Sequence, residues 1–199
     1  MDSATHTRGG SLSSVMQAQG THAPDRAANA VLSAVLTGVD TYGTKSVTAV
    51  GHSLGAALSL LDAVFLPLHI PGLTVTYYGY GLPRVRTATE APPIGTLGDL
   101  TLLPAQVGNQ DFANYVDGKL GGRFTRITNY EDPIPILPGR FLGFHHPSGE
   151  AHIDDGQVWK WCPGQDNTDA QCSIGDTTSI LDSDIGDHDG PYNGINIGC

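Results

Sequence analysis

The residues best placed to do chemistry are Gly51-His52-Ser53-Leu54-Gly55, a match to G-x-S-x-G. A run of β-forming residues, Val47-Thr48-Ala49-Val50, leads straight into it, and an Ala/Leu-rich helical stretch leads out to about Phe65. A nucleophile elbow needs that setting: a sharp, strained strand-to-helix turn that lifts a serine hydroxyl clear of the chain. Gly51 and Gly55 suit it because side chains flanking such a turn would strike neighbouring elements. The Ser53 hydroxyl then stands at a helix N-terminus, where the Leu54 backbone N–H can face a developing oxyanion. The competing reading, a buried serine capping a helix, is disfavoured by the preceding strand and the paired glycines.

A serine hydroxyl is a weak nucleophile and needs a base, itself oriented by an acid. On an elbow-bearing sheet the chain order is Ser, then Asp or Glu, then His. The downstream histidines are His69, His145, His146, His152 and His188. His69 comes too soon, at the end of the elbow helix. His188 lies late, in Asp187-His188-Asp189-Gly190, among turn residues from which a loop can bring it over the sheet edge. It is the candidate base. For the acid, Asn129-Tyr130-Glu131-Asp132-Pro133-Ile134-Pro135 follows an expected strand, Phe124 to Thr128, and the C-terminal ends of parallel strands are where such a sheet gathers its site. Spacing leaves Glu131 and Asp132 as alternatives. No metal or cofactor is called for. His145, His146 and His152 do not follow H-E-x-x-H, and Asp182, Asp184, Asp187 and Asp189 fail the calcium-loop pattern because Asn193 stands where its twelfth-position Glu belongs. These aspartates read as a solvated acidic surface.

Positioning such a set requires a sheet. From Asp25 the pattern is helical, with Ala27, Ala30, Val31, Ala34, Val35 and Val39 on one face, and Gly43 ends it. The strand into the elbow, the elbow helix and a further strand from Val75 to Tyr80 make the βαβ pattern of an α/β protein with a mostly parallel central sheet flanked by helices. Residues 1–24 show no apolar period and read as an irregular segment; residues 25–199 read as one domain. Within it, about residues 86–107 hold Pro92, Pro93 and Pro104 without a period, which suggests an insertion or a flap. Cys162 and Cys172 bracket a short polar loop and could close it as a disulfide, or all three cysteines could be reduced; Cys199 has no obvious partner.

The bulk numbers bound the rest. A chain of 199 residues can bury one core. Its net charge of -10 argues against a nucleic-acid partner and against basic docking on anionic membranes. The longest apolar run, Ala56 to Ile70, is broken by Asp62 and Pro67, and a membrane span needs about 20 residues. The opening Met1-Asp2-Ser3-Ala4-Thr5-His6 lacks the regions of a signal peptide.

The chain resembles the class 3, fungal-type triacylglycerol lipases. The resemblance rests on Val50 to Ala57, on Gly81-Leu82-Pro83-Arg84-Val85, on the stretch from Asp132-Pro133-Ile134-Pro135 to Phe144-His145-His146, and on the ending from Asp187-His188 to Gly198-Cys199. It implies an α/β-hydrolase fold and a triad of Ser53 as nucleophile, Asp132 as orienting acid and His188 as general base. It further implies a secreted, cofactor-free enzyme, expected to be a monomer, that cleaves acylglycerol esters at an oil–water interface. Relative to the family pattern, Arg86 to Val107 interrupts the passage from Val85 to Gly108-Asn109-Gln110, as an in-frame unspliced intron would. The leading strands, with the Ser or Thr of the second oxyanion donor, and the lid are expected to be missing, Thr7-Arg8-Gly9-Gly10-Ser11 being only a faint echo. A feruloyl-type or short-chain carboxylesterase, and an inactive truncated fragment, are the alternative readings.

Overall fold

The computed structural model describes residues 23–84 and 108–197. Of the segment expected to be irregular, 1–24, residues 1–22 lie outside the described residues, as do 86–107 and Cys199, whereas Ala23 and Pro24 belong to a helix and not to an irregular segment. The chain divides into two units, 1–44 and 45–199.

The first unit contains helix α1, Ala23–Tyr42. It is closed by Gly43, whose N–H donates to the Val39 carbonyl at 2.9 Å from a left-handed φ of 64°, the usual glycine stop. Its buried face differs from the one the spacing predicts. Leu32 is the most buried residue and Val31, Val35 and Val39 are half-buried, whereas Ala27, Ala30 and Ala34 are exposed.

The second unit is built on a five-stranded sheet in the order β1 (Ser46–His52), β2 (Thr74–Tyr80), β3 (Phe124–Asn129), β4 (Glu150–Ile153), β5 (Trp159–Cys162). Strands β1 to β4 are parallel, and β5 returns antiparallel beside β4. The fold class is therefore α/β with a mostly parallel sheet, as the βαβ pattern predicts. Parallel neighbours bring the ends of β1 and β3 out on one edge, so the elbow after β1 and the acidic loop after β3 emerge together.

Helix α2, Leu54–His69, starts directly at the elbow and packs on β1 and β2. Ala56, Ala57, Leu60, Ala63 and Leu66 form its buried stripe at helical spacing. The alanines let the helix lie close to the sheet, where Tyr77 of β2 donates its hydroxyl to the Ala56 carbonyl at 2.8 Å. Helix α3, Gln110–Lys119, buries Phe112, Ala113 and Val116, and Asn109 caps it by accepting the Phe112 N–H at 2.9 Å. Cys162 at the end of β5 is joined to Cys172, with their Cα atoms 5.9 Å apart.

Strand β4 is buried along its whole length although two of its four residues are ionisable. Its Glu150 accepts from Arg126 Nη2 at 2.6 Å, from Thr128 Oγ1 at 3.0 Å and from the Ser173 N–H at 3.0 Å. Burial alone would push the Glu150 carboxyl up, but Arg126 and the bonds from Ser173 and Thr128 hold it below the usual range.

Candidate active site

At the end of β1 the chain turns through Ser53, whose φ of 56° lies in the left-handed region. For a serine this is a strained conformation, held by a bond from the Ser53 N–H to the Tyr80 carbonyl at 2.9 Å and by the Ala56 N–H bonding back to the Ser53 carbonyl at 3.0 Å. Gly51 is required, because a Cβ there would stand 2.3 Å from the Gly55 oxygen and 2.6 Å from the Ala56 nitrogen. Gly55 differs from expectation: a Cβ there would meet nothing within 4 Å among the described residues. The collision argument therefore holds for one flank of the elbow. Helix α2 opens with Leu54, which sets its backbone N–H at the helix N-terminus beside Ser53.

The acid is held by its own loop. After β3, the Asp132 N–H bonds to the Asn129 carbonyl at 3.0 Å, and Asp132 Oδ1 accepts the Ile134 N–H at 2.8 Å, pinning the carboxylate at the start of a 3-10 turn, Ile134–Ile136. Its other oxygen, Oδ2, lies 2.9 Å from His188 Nδ1. Asp132 and His188 are both buried. The carboxylate that meets the ring is thus Asp132, not the neighbouring Glu131, between which spacing could not choose.

His188 sits in a 3-10 turn, Ile185–Asp189. Four residues on, Tyr192 anchors this segment in a cluster with Ile127 and Ile153, and burying such a side chain contributes on the order of 1.5–3 kcal/mol. Asn129 Nδ2 donates to the Asp187 carbonyl at 3.0 Å, and the Asp184 N–H donates to the Glu131 carbonyl at 3.1 Å. The base and acid loops are therefore stitched together by one side-chain-to-backbone and one backbone–backbone bond. Gly81 lies against the imidazole: a Cβ there would stand 2.7 Å from His188 Cε1, and its φ of 55° also favours glycine. Among the described residues, His188 Nε2 is buried and has no hydrogen-bond partner. The structure closes the link between Asp132 and His188 and leaves the link between His188 and Ser53 unmade. A serine hydroxyl is a free rotor, and such bonds commonly tighten only with substrate.

Of the other downstream histidines, His145 and His146 are occupied elsewhere. His146 is fully buried, and burial, together with the Arg126 and Arg84 charges, pushes it well below the usual histidine range. Its neutral ring lies 2.7 Å, through Nε2, from the Pro135 carbonyl. His145 Nδ1 lies 2.9 Å from Asp166 Oδ2, and Asp166 Oδ1 is the partner of the Arg84 guanidinium. Arg84 also donates to the carbonyls of Ile136 and Pro138, gripping the loop beyond Asp132. Among the described residues no group of three His, Cys, Asp or Glu side chains could hold a metal ion.

Asp187, next to the base, accepts the Glu131 N–H through Oδ2 at 3.3 Å. Burial, then the neighbouring Asp184, Glu131 and Asp155 charges, raise its carboxyl to about 6. The unfolded chain ionises this group near 3.8, so charging it costs the fold stability as pH rises from about 4 to about 6. Asp187→Asn, which keeps an acceptor for Glu131, is expected to match the wild type in Tm below pH 3.8 and to exceed it increasingly up to about pH 6, then by a constant margin. Thermal melts across that range check it; a variant that melts lower at pH 7 would refute it.

Sequence reasoning named Ser53, Asp132 and His188, named His52 only as part of the elbow motif, and did not name Tyr192; both His52 and Tyr192 touch the candidate base. Tyr192 OH donates to the His188 carbonyl at 3.2 Å, and His52 Nε2 lies 2.7 Å from the same oxygen. The signal for His52 was its place inside the motif, where any residue satisfies the pattern.

Comparison with known proteins yields one set of relatives. A family model described as lipase (class 3) matches residues 3–95, reaching into the segment that the sequence reading set outside the domain. A secreted mono- and diacylglycerol lipase of Malassezia globosa is 33% identical over 184 residues, covering 89% of this chain and 52% of that protein. One from Malassezia restricta is 37% identical over 128 residues, covering 63% and 35%. Among solved structures, the triacylglyceride lipase of Rhizomucor miehei superposes with a TM-score of 0.65 at 29% identity, over 85% of this chain and 56% of that one. The lipase of Rhizopus microsporus var. chinensis gives 0.67 at 26%, over 87% and 52%. A solved structure of a triacylglycerol lipase described as having a serine protease triad as its catalytic centre gives 0.65 at 30%, over 85% and 56%. The chain spans about half the length of most of these relatives.

Proposed function

Because this chain belongs to the class 3 lipase family, with its α/β-hydrolase fold, we propose that it is the catalytic portion of a serine hydrolase that cleaves acylglycerol esters. The observation that carries this reading is the Asp132–His188 bond of 2.9 Å with His188 Nε2 left unpaired, on the sheet edge where the Ser53 elbow emerges. Ser53 Oγ attacks the ester carbonyl as His188 Nε2 takes its proton. Asp132 holds the ring in the Nδ1–H tautomer and stabilises the imidazolium. The oxyanion draws on the Leu54 N–H at the head of α2. His188 then returns the proton to the departing alcohol, and water, activated by the same ring, releases the acid from the acyl-enzyme.

The substrate class draws on the relatives, which are named for mono- and diacylglycerols on one side and triacylglycerols on the other. Secretion is supported by the relatives' description as secreted and by the Cys162–Cys172 disulfide, a bond of oxidising compartments. Among the described residues no helix is long and apolar enough to cross a membrane. We read 86–107 as an insertion. Arg84 before it and Gly108 after it meet one polar cluster, Arg84 through Asp166 and Gly108 through its carbonyl, which accepts the His145 N–H at 2.7 Å.

The test is a fluorophosphonate probe with mono-, di- and triacylglycerol turnover, on the wild type and on Ser53→Ala. Labelling and turnover are expected in the wild type and absent in the variant. Labelling that survives Ser53→Ala would overturn the nucleophile assignment, and labelling without any turnover would favour an inactive lipase-like chain.

A further inference from the structure

We infer that His52, the residue between the glycine and the nucleophile of the elbow, is a positioning residue that ties the base to the nucleophile; this rests on the ester-hydrolase reading above. Its Nε2 lies 2.7 Å from the His188 carbonyl oxygen. A carbonyl can only accept, so Nε2 carries the proton and donates it. Tyr192 OH donates to the same oxygen at 3.2 Å, which fills both of its lone pairs. The His52 ring also packs on the His188 ring, with centroids 4.5 Å apart and planes tilted by 35°. Tyr192 braces His52 in turn, edge-on at 6.2 Å.

These contacts divide the control of His188 between two anchors. Asp132 holds Nδ1 and so fixes the ring relative to the acid loop. Nothing in that bond sets the distance to Ser53, which stands on a different strand. His52 ends β1, one residue before Ser53, and Ser53 is itself pinned through its N–H to Tyr80. A bond from His52 to the backbone of the base therefore sets the base against the nucleophile. With Nε2 free and a single hydroxyl to reach, a displacement of about 1 Å in this relation can cost on the order of 10²-fold in rate.

The test compares wild type, His52→Phe and His52→Gln. Phe keeps a ring and loses the donor. Gln loses the ring but carries an N–H the same number of bonds from the backbone. On a soluble chromogenic ester, His52→Phe is expected to lower kcat about 10²-fold with KM within about twofold, and His52→Gln to recover to within about fivefold of wild type. The low-field proton resonance of His188 Nδ1, read by NMR, is expected to broaden by faster solvent exchange in the Phe variant and to stay sharp in the Gln variant. If His52→Phe does not fold, His52→Asn replaces it, because its shorter amide stops short of the carbonyl. A wild-type kcat in the donor-less variant, or equal losses with and without the donor, would overturn the proposal. Absence of ester turnover in the wild type would count against the enzymatic reading alone, and the NMR comparison would still decide the role of His52.

Discussion

Asp132→Asn is expected to lower ester turnover about 10⁴-fold while the protein stays folded. The size of the effect follows from how the loop uses the two carboxylate oxygens. Oδ1 accepts the Ile134 N–H at 2.8 Å and Oδ2 faces His188 Nδ1 at 2.9 Å. An asparagine has one acceptor. The backbone N–H of Ile134 cannot turn away, so the amide oxygen stays with it and the NH₂ group faces the ring. His188 must then present a bare Nδ1 and carry its proton on Nε2, which makes it a donor where a base is needed. The alternative flip leaves the Ile134 N–H facing an N–H and loosens the loop. Both outcomes disable the base without removing a buried side chain. The check is kcat on a chromogenic ester together with the rate of fluorophosphonate labelling at Ser53, with a thermal melt as control. A variant that retains a tenth of the wild-type turnover would show that Asp132 does not orient the base.

What could be read from the sequence follows from how local each signal is. The elbow was legible because strand, glycine, serine and helix start are consecutive, and the strain at Ser53 is a local matter of φ. The sheet class was legible for the same reason, from one βαβ run. The choice of Asp132 over Glu131 came from family resemblance and not from spacing, because adjacent carboxylates differ only in where a folded loop points them. Strands β4 and β5 went unread. Glu150-Ala151-His152-Ile153 is short and half ionisable, and it becomes a buried strand only because Arg126 and Thr128 on β3 meet its polar groups. The partners lie more than twenty residues away in the chain, so no local pattern announces them. His52 was named as an elbow residue, but its contact went unread for another reason: its partner is a backbone carbonyl 136 residues downstream, and a backbone group leaves no mark in a sequence.

The pair that builds β4 sets the second large effect. Glu150→Gln is expected to cost about 3–5 kcal/mol of stability at pH 7, the range for leaving a buried charge uncompensated. Arg126 and Glu150 are both fully buried. Among the described residues Arg126 Nε and Nη1 have no hydrogen-bond partner, so there the guanidinium leans on Glu150 for its charge. On the other side, Glu150 Oε1 takes both the Thr128 hydroxyl and the Ser173 N–H. A glutamine has one oxygen for these two sets of donors, and either the Arg126 side or the Thr128–Ser173 side must face an NH₂ group. Exchanging the pair together for Arg126→Met with Glu150→Leu is expected to restore only part of the loss: no buried charge is left behind, but the buried Ser173 N–H and Thr128 hydroxyl lose their acceptor. The pH dependence has a definite sign. The Glu150 carboxyl is held below its ordinary value of 4.5, so its stabilisation is complete above that pH and is lost as pH falls through the depressed value. Urea unfolding at pH 7 and at progressively lower pH should therefore show the gap between wild type and Glu150→Gln closing in acid. A gap that stayed constant into acid would mean that the loss came from packing and not from charge. Turnover in the variant should persist up to its lowered melting temperature. Glu150 touches none of the three residues of the site, and it reaches them only by keeping β3 in register with β4 beneath the loop that carries Asp132.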